Sequence, residues 1–258
     1  MQYFLKSIRL LKHLFSSRHI KGFGVHSPYI FRQIRFVIYE KSSYYVFTHI
    51  ENLRRLLLKN NCKIQLNDFG TGKSVENTVS RIASRSLKSR KYGQLLYRLV
   101  KEHKPKTIIE LGTSLGITTL YLASASNADC YTFEGSKSCI DIAKANFIEL
   151  NVSNIHVFEG DIDLILKEKL ELISDIDFAF IDANHKYESV LKYFDLIVSK
   201  AASDAIIVID DINWSSDMNR AWNVIKENDC VTSSIDLFEM GILFLNPILN
   251  KKHYKLIF

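Results

Sequence analysis

The chain has 258 residues, 47% of them hydrophobic and 24% charged, enough to bury one α/β core with a helical extension added. No apolar run approaches the ~20 uncharged residues that span a bilayer, and residues 3–15 are too broken by Lys6, Arg9, Lys12 and His13 to read as a signal peptide. The four cysteines, Cys62, Cys130, Cys139 and Cys230, form no CxxC pair and no Cys/His cluster, which argues against zinc and disulfide frameworks and predicts reduced thiols in a cytoplasmic protein.

The net charge of +6 is unevenly spread. Residues 1–106 carry 22 Lys and Arg against five Asp and Glu, a balance of +17, and residues 107–258 carry 12 against 23, a balance of −11. A basic front half attracts phosphate, nucleic acid or an anionic membrane, or else complements the acidic half. Its first pattern, over residues 3–16, sets Phe4, Ile8, Leu11 and Phe15 at helical spacing, with Lys6, Arg9 and Lys12 elsewhere on the wheel. Such a helix is expected to pack its apolar stripe on its own protein, with a membrane surface as the alternative. A loop over 16–28 contains Gly22 and Gly24, and helical patterns resume at 29–39, 46–60, 75–84 and 91–103, with no strand expected among them.

From Lys106 the pattern alternates. Short apolar strands are expected at 107–111, 130–133, 155–158, 178–181 and 205–209, with helices at 117–126, 138–150, 162–173, 187–199 and 217–228. Repeated strand–helix units predict a parallel, doubly wound sheet. Residues 231–238 and 241–245 are close enough to close it with an antiparallel hairpin, making seven strands.

The strongest local signal follows the first of these strands: Glu110-Leu111-Gly112-Thr113-Ser114-Leu115-Gly116, then a helix. Glycines let the backbone approach a ligand, and the open N–H groups of a helix start face it. A nicotinamide dinucleotide site needs G-x-G-x-x-G, but Ser114 and Ile117 occupy the second and third glycine positions. A hydrolase elbow matches G-x-S-x-G literally, yet no oxyanion segment precedes it. The third reading is a methyltransferase nucleotide loop, with an acid two places before the first glycine. Glu110 is placed to meet the methionine ammonium of the cofactor, Glu134 at the next strand end to hold the ribose hydroxyls, and Asp161 after Gly160 to meet the adenine amino group. Solvated carboxylates at strand ends are the plain alternative. A second glycine segment, Asp68-Phe69-Gly70-Thr71-Gly72-Lys73-Ser74, ends like a phosphate-binding loop but has Asn67 where that motif requires glycine, and reads as a turn or helix cap.

Two further segments complete the pattern. Asp182-Ala183-Asn184-His185-Lys186-Tyr187-Glu188 and Ile209-Asp210-Asp211-Ile212-Asn213-Trp214 follow the fourth and fifth strands, and Gly93-Gln94-Leu95-Leu96 precedes the first. Over residues 86–245 the chain resembles the class I cation-dependent O-methyltransferases, the catechol and caffeoyl-CoA types and the branch that methylates sugars of natural products. The resemblance implies a Rossmann-like α/β domain over 86–258 that binds S-adenosylmethionine through Glu110, Gly112, Ser114, Gly116, Glu134, Asp161 and Asp182. It implies Mg²⁺ or Mn²⁺ on Asp182, Asp210 and Asp211, with His185 as general base. Parallel strands deliver their C-terminal ends to one rim, crowded carboxylates need a cation, and hard oxygen donors suit Mg²⁺. Ala183 and Asp211 depart from the group's more usual Gly and Asn and set the chain nearer the sugar branch. Residues 1–85 are expected to form a basic helical extension covering the substrate, the acceptor to be a small-molecule hydroxyl, and a homodimer is allowed. A methyltransferase of RNA or another polyanion, and a non-catalytic cofactor-fold module, are the alternatives.

Overall fold

The structure is a computed structural model describing residues 2–68 and 73–258. In chain order the helices and strands are α1 (Gln2–Ser16), α2 (Pro28–Gln33), α3 (Tyr45–Lys59), β1 (Lys63–Asp68), β2 (Lys73–Thr78), α4 (Val79–Ser86) and α5 (Arg90–His103). The alternating part follows as β3 (Thr107–Leu111), α6 (Ile117–Ala123), β4 (Asp129–Glu134), α7 (Lys137–Glu149), β5 (Ile155–Glu159) and α8 (Ile162–Glu171). It continues through β6 (Ile176–Ile181), α9 (Tyr187–Val198), β7 (Ala201–Ile209) and α10 (Ser216–Ile225), and ends with β8 (Ser233–Asp236), β9 (Gly241–Phe244) and β10 (Lys252–Lys255). The chain divides into two compact units, one of residues 41–172 and one of residues 1–40 with 173–258. No helix among the described residues is long and apolar enough to cross a membrane.

In the unit of residues 41–172, β3, β4 and β5 run parallel, with Ile109 opposite Tyr131 and Thr132 opposite Val157. Every residue of β3 is buried, as expected of a strand covered on both faces. Helices from before and after β3 share one core: Phe47, Ile50, Leu53 and Leu57 of α3 and Ile82 of α4 join Leu120 and Tyr121 of α6 and Phe147 of α7. Tyr121 also donates its hydroxyl to Glu51 (2.7 Å). Residues 41–85 therefore fold with the segment that follows them. The front half does contain strands: β1 and β2 form an antiparallel hairpin. Among the described side chains of β1, Ile64 and Leu66 pack against the core, a period-two signal two residues long. The turn between these strands, with the phosphate-loop-like Gly70-Thr71-Gly72, lies outside the described residues.

In the second unit the strand order is β10-β8-β9-β7-β6. β6 and β7 are parallel, while β9 runs antiparallel to both β7 and β8, which is the expected terminal hairpin. The parallel α/β arrangement is as predicted, with one more strand: β10, in the tail, pairs parallel with β8. Helix α1 also belongs here, and its orientation reverses the expectation. Its polar side faces the unit: His13 and Ser17 are buried, His13 Nε2 lies 2.8 Å from the Leu256 carbonyl, and Lys6 sits over the Trp214 ring and near Glu239. Leu11 and Phe15 of the apolar stripe point outward. The polar partners offered by Asp236, Glu239 and Leu256 decide which face turns in.

Candidate active site

The glycine loop is built within the first unit. After β3, Gly112, Ser114 and Gly116 all take positive φ (102°, 48° and 81°), which lets the chain reverse sharply before α6. The N–H groups of Gly112 and Thr113 both donate to the Phe133 carbonyl (3.0 and 3.1 Å), pinning the turn to the end of β4. Asn146 of α7 donates to the Leu115 carbonyl (2.8 Å). Gly116 packs so closely that a Cβ there would lie 2.6 Å from the Phe147 ring.

Glu134 is the hub of this loop. Its Oε2 accepts the Ser114 N–H and its Oε1 the Ser136 N–H, each at 2.8 Å. One half-buried carboxylate thus joins the glycine loop to the turn after β4, and it stands at the strand end where the sequence expects it. Glu110 is fully buried, with Oε2 accepting the hydroxyls of Thr119 and Thr132. The neighbouring Cys130 thiol is pushed well above its usual range, chiefly by its own burial and further by the nearness of Glu110. Asp161 caps α8, accepting the Asp163 N–H at 2.9 Å. Thr119, Thr132, Ser136 and Asn146 were not singled out from the sequence. Hydroxyls and amides inside helices and strands carry no motif, and only their packing reveals them.

The second group lies in the other unit. After β6 the chain passes through Asn184 and His185, both in the left-handed region (φ 61° and 39°), before α9 begins. Asn184 donates to Ser189 (2.9 Å) and Tyr193 (3.3 Å), fixing the turn. His185 Nε2 lies 3.2 Å from Asp182 Oδ1 and 3.7 Å from Asp211 Oδ2. One ligand atom from each of Asp182, His185 and Asp211 falls within 4.8 Å of the others, and all three residues are half-buried. Asp211 is held with φ 53°, and its carbonyl accepts the Trp214 N–H.

Of the expected trio Asp182, Asp210 and Asp211, the structure brings Asp182 and Asp211 together beside His185. Neighbouring residues at a strand end project to opposite sides, and Asp210 is the one turned fully inward, its N–H on the Ile181 carbonyl. Adjacent ligands of an octahedral ion at about 2.1 Å stand about 3 Å apart and opposite ones about 4.2 Å. Ligand atoms of Asp182 and Asp211 lie within 4.8 Å of each other, and such paired carboxylates could hold Mg²⁺ or Mn²⁺ beside His185.

The family pattern described as a methyltransferase domain matches residues 109–212, from the middle of β3 to just past the acidic pair. Solved structures share the fold. An O-methyltransferase from Bacillus cereus, in complex with SAH, is 17% identical, with a TM-score of 0.58 over 81% of this chain and 94% of its own. The O-methyltransferase TomG from Streptomyces achromogenes, involved in tomaymycin synthesis and in complex with SAM, is 19% identical, with a TM-score of 0.55 over 62% of this chain and 82% of its own. The SAH-bound methyltransferase PaMTH1 of Podospora anserina is 17% identical, with a TM-score of 0.55 over 79% of this chain and 97% of its own.

Proposed function

We propose that this chain, whose residues 109–212 match the methyltransferase-domain pattern, transfers the methyl group of S-adenosylmethionine to a hydroxyl oxygen of a small molecule, sugars included, with a divalent cation. The observation that carries the oxygen-directed reading is the Asp182–His185–Asp211 cluster, placed directly after β6 and β7. Two carboxylates so close repel one another, and a bound cation offsets that cost.

The cofactor supplies an electrophilic methyl on sulfonium, and the cation, when bound, lowers the pKa of an acceptor hydroxyl and orients it. The chain's own residues do the rest. Glu134 binds the ribose hydroxyls while its backbone partners keep the glycine loop in place. The open N–H groups at the start of α6 face the methionine end. Glu110 holds that loop from beneath through Thr119 and Thr132. Asp182 and Asp211 hold the cation. In the tautomer protonated at Nε2, Asp182 would orient the His185 ring, 3.2 Å away, and leave Nδ1 to take the acceptor's proton. Much of the rate enhancement would come from this positioning. The four cysteines are free, which suits the reducing cytoplasm as the site of action.

Calorimetric titration tests the reading. S-adenosylhomocysteine should bind the wild-type chain, and Mn²⁺ should bind with an affinity that Asp182→Asn lowers at least about tenfold. A folded Asp182→Asn protein with unchanged Mn²⁺ affinity would remove the cation from the account. Absence of S-adenosylhomocysteine binding would remove the cofactor.

A further inference from the structure

We propose that the N-terminal segment, residues 1–40, docks this protein on an anionic lipid surface, with α1 lying along the membrane. The motivating feature is the reversed helix. Lys6, Arg9, His13 and Ser17 recur on one side of α1, and that side is turned toward the protein: His13 and Ser17 are buried and Lys6 reaches Trp214 and Glu239. The opposite side carries Leu11, 55% exposed, and Phe15, 87% exposed, flanked by the partly exposed Leu10 and Leu14. An amphipathic helix that spends its polar face on its own protein leaves its apolar face for something else.

The patch continues past the helix. Gly22 packs against the Phe31 ring and the Arg35 side chain, so the following Phe23, 81% exposed, belongs with them. Phe36, 65% exposed, lies one residue beyond Arg35. Exposed cations are interleaved throughout: Lys12, Arg18, Lys21 and Arg35. Residues 1–39 contain seven Lys and Arg and no Asp or Glu.

That charge pattern selects the occupant. A two-fold contact between copies would set this patch against itself, bringing like cations together with no acid in residues 1–39 to offset them. A lipid interface answers both halves of the pattern: leucine and phenylalanine side chains enter the boundary between headgroups and acyl chains, and lysine and arginine meet anionic headgroups. The segment would thus hold the enzyme at a bilayer without crossing it.

Co-sedimentation of the full chain with vesicles decides the matter, using phosphatidylcholine alone and phosphatidylcholine mixed with phosphatidylglycerol. The protein should pellet with the mixed vesicles at low salt, be released by salt, and stay in solution with phosphatidylcholine alone. Leu11→Ser with Phe15→Ser should weaken binding by about tenfold or more, and Lys12→Ser with Arg18→Ser by about thirtyfold. All four side chains are exposed, so circular dichroism should show both variants folded. No pelleting of the wild type at low salt, or pelleting unchanged in both variants, overturns the proposal. So does a dimer in sedimentation equilibrium that Phe15→Ser dissolves while vesicles bind nothing, because the face then belongs to a second copy.

Discussion

Replacing Glu134 by alanine separates a carboxylate that waits for a ligand from one that already holds the fold. In the structure both of its oxygens accept backbone N–H groups, from Ser114 and Ser136, each at 2.8 Å. A hydrogen bond to a charged group contributes about 1.5–3 kcal/mol when well shielded. Glu134 is only half-buried, so the lower end applies and the pair amounts to about 2–3 kcal/mol of stability. The loop needs that contribution, because Ser114 sits at φ 48°, a conformation costing about 1–2 kcal/mol for a residue with a Cβ. Urea unfolding without ligand should therefore show Glu134→Ala less stable by about 2–3 kcal/mol. In calorimetry the same protein, still folded, should bind S-adenosylhomocysteine about 2–4 kcal/mol more weakly, roughly 30- to 1000-fold. Stability unchanged within about 0.5 kcal/mol would refute the hub reading, and affinity unchanged in the folded variant would refute the ribose assignment.

Gly116→Ala meets both a positive φ of 81° and the Phe147 ring at 2.6 Å, so chemical denaturation should show a loss of about 3–4 kcal/mol; a loss under about 1 kcal/mol would mean that α7 yields easily. Burial pushes the Cys139 thiol up to about 11 and the Cys130 thiol well above its usual range, whereas Cys62 is exposed, so iodoacetamide at neutral pH should label Cys62 in the native protein and the other two only after unfolding. These raised thiols also carry a pH dependence. Their stabilising effect is complete below the unfolded thiol pKa of about 8.5 and is lost as pH rises toward 11, so unfolding free energy should fall over that window in wild type and fall less in Cys139→Ala.

Most of the alternating half was legible because each strand is short, apolar and bounded by turn residues. The range 107–111 coincides with β3, and the helices after β4, β5, β6 and β7 begin within one residue of their expected starts. Buried strands advertise themselves through composition. What escaped was decided by tertiary contacts. Among its described side chains the β1–β2 hairpin offers Ile64 and Leu66 to the core, and β10 is a four-residue strand supported by its pairing with β8. The wheel of α1 identified an apolar stripe correctly but could not say which side would find partners. His13, bonded to Leu256 at the far end of the chain, settles it. At the candidate site, the acids at the ends of β3, β4 and β5 stood where the spacing put them, but Glu110 proved fully buried and Asp161 a helix cap. Asp210 and Asp211 are equivalent as letters. Only the backbone at the end of β7, with Asp211 at φ 53°, separates the buried one from the one that meets His185.

Cation-assisted methyl transfer to oxygen is tested most directly by following a tritiated methyl group from S-adenosylmethionine. The full chain would be incubated with a panel of catechols and sugar hydroxyls, in chelator and again after Mg²⁺ or Mn²⁺ is restored. The account predicts a labelled ether product that disappears in chelator, returns with the metal and falls by roughly 10²–10⁴-fold in His185→Ala. Full transfer in chelator, or label appearing on nitrogen acceptors and never on oxygen, would contradict it.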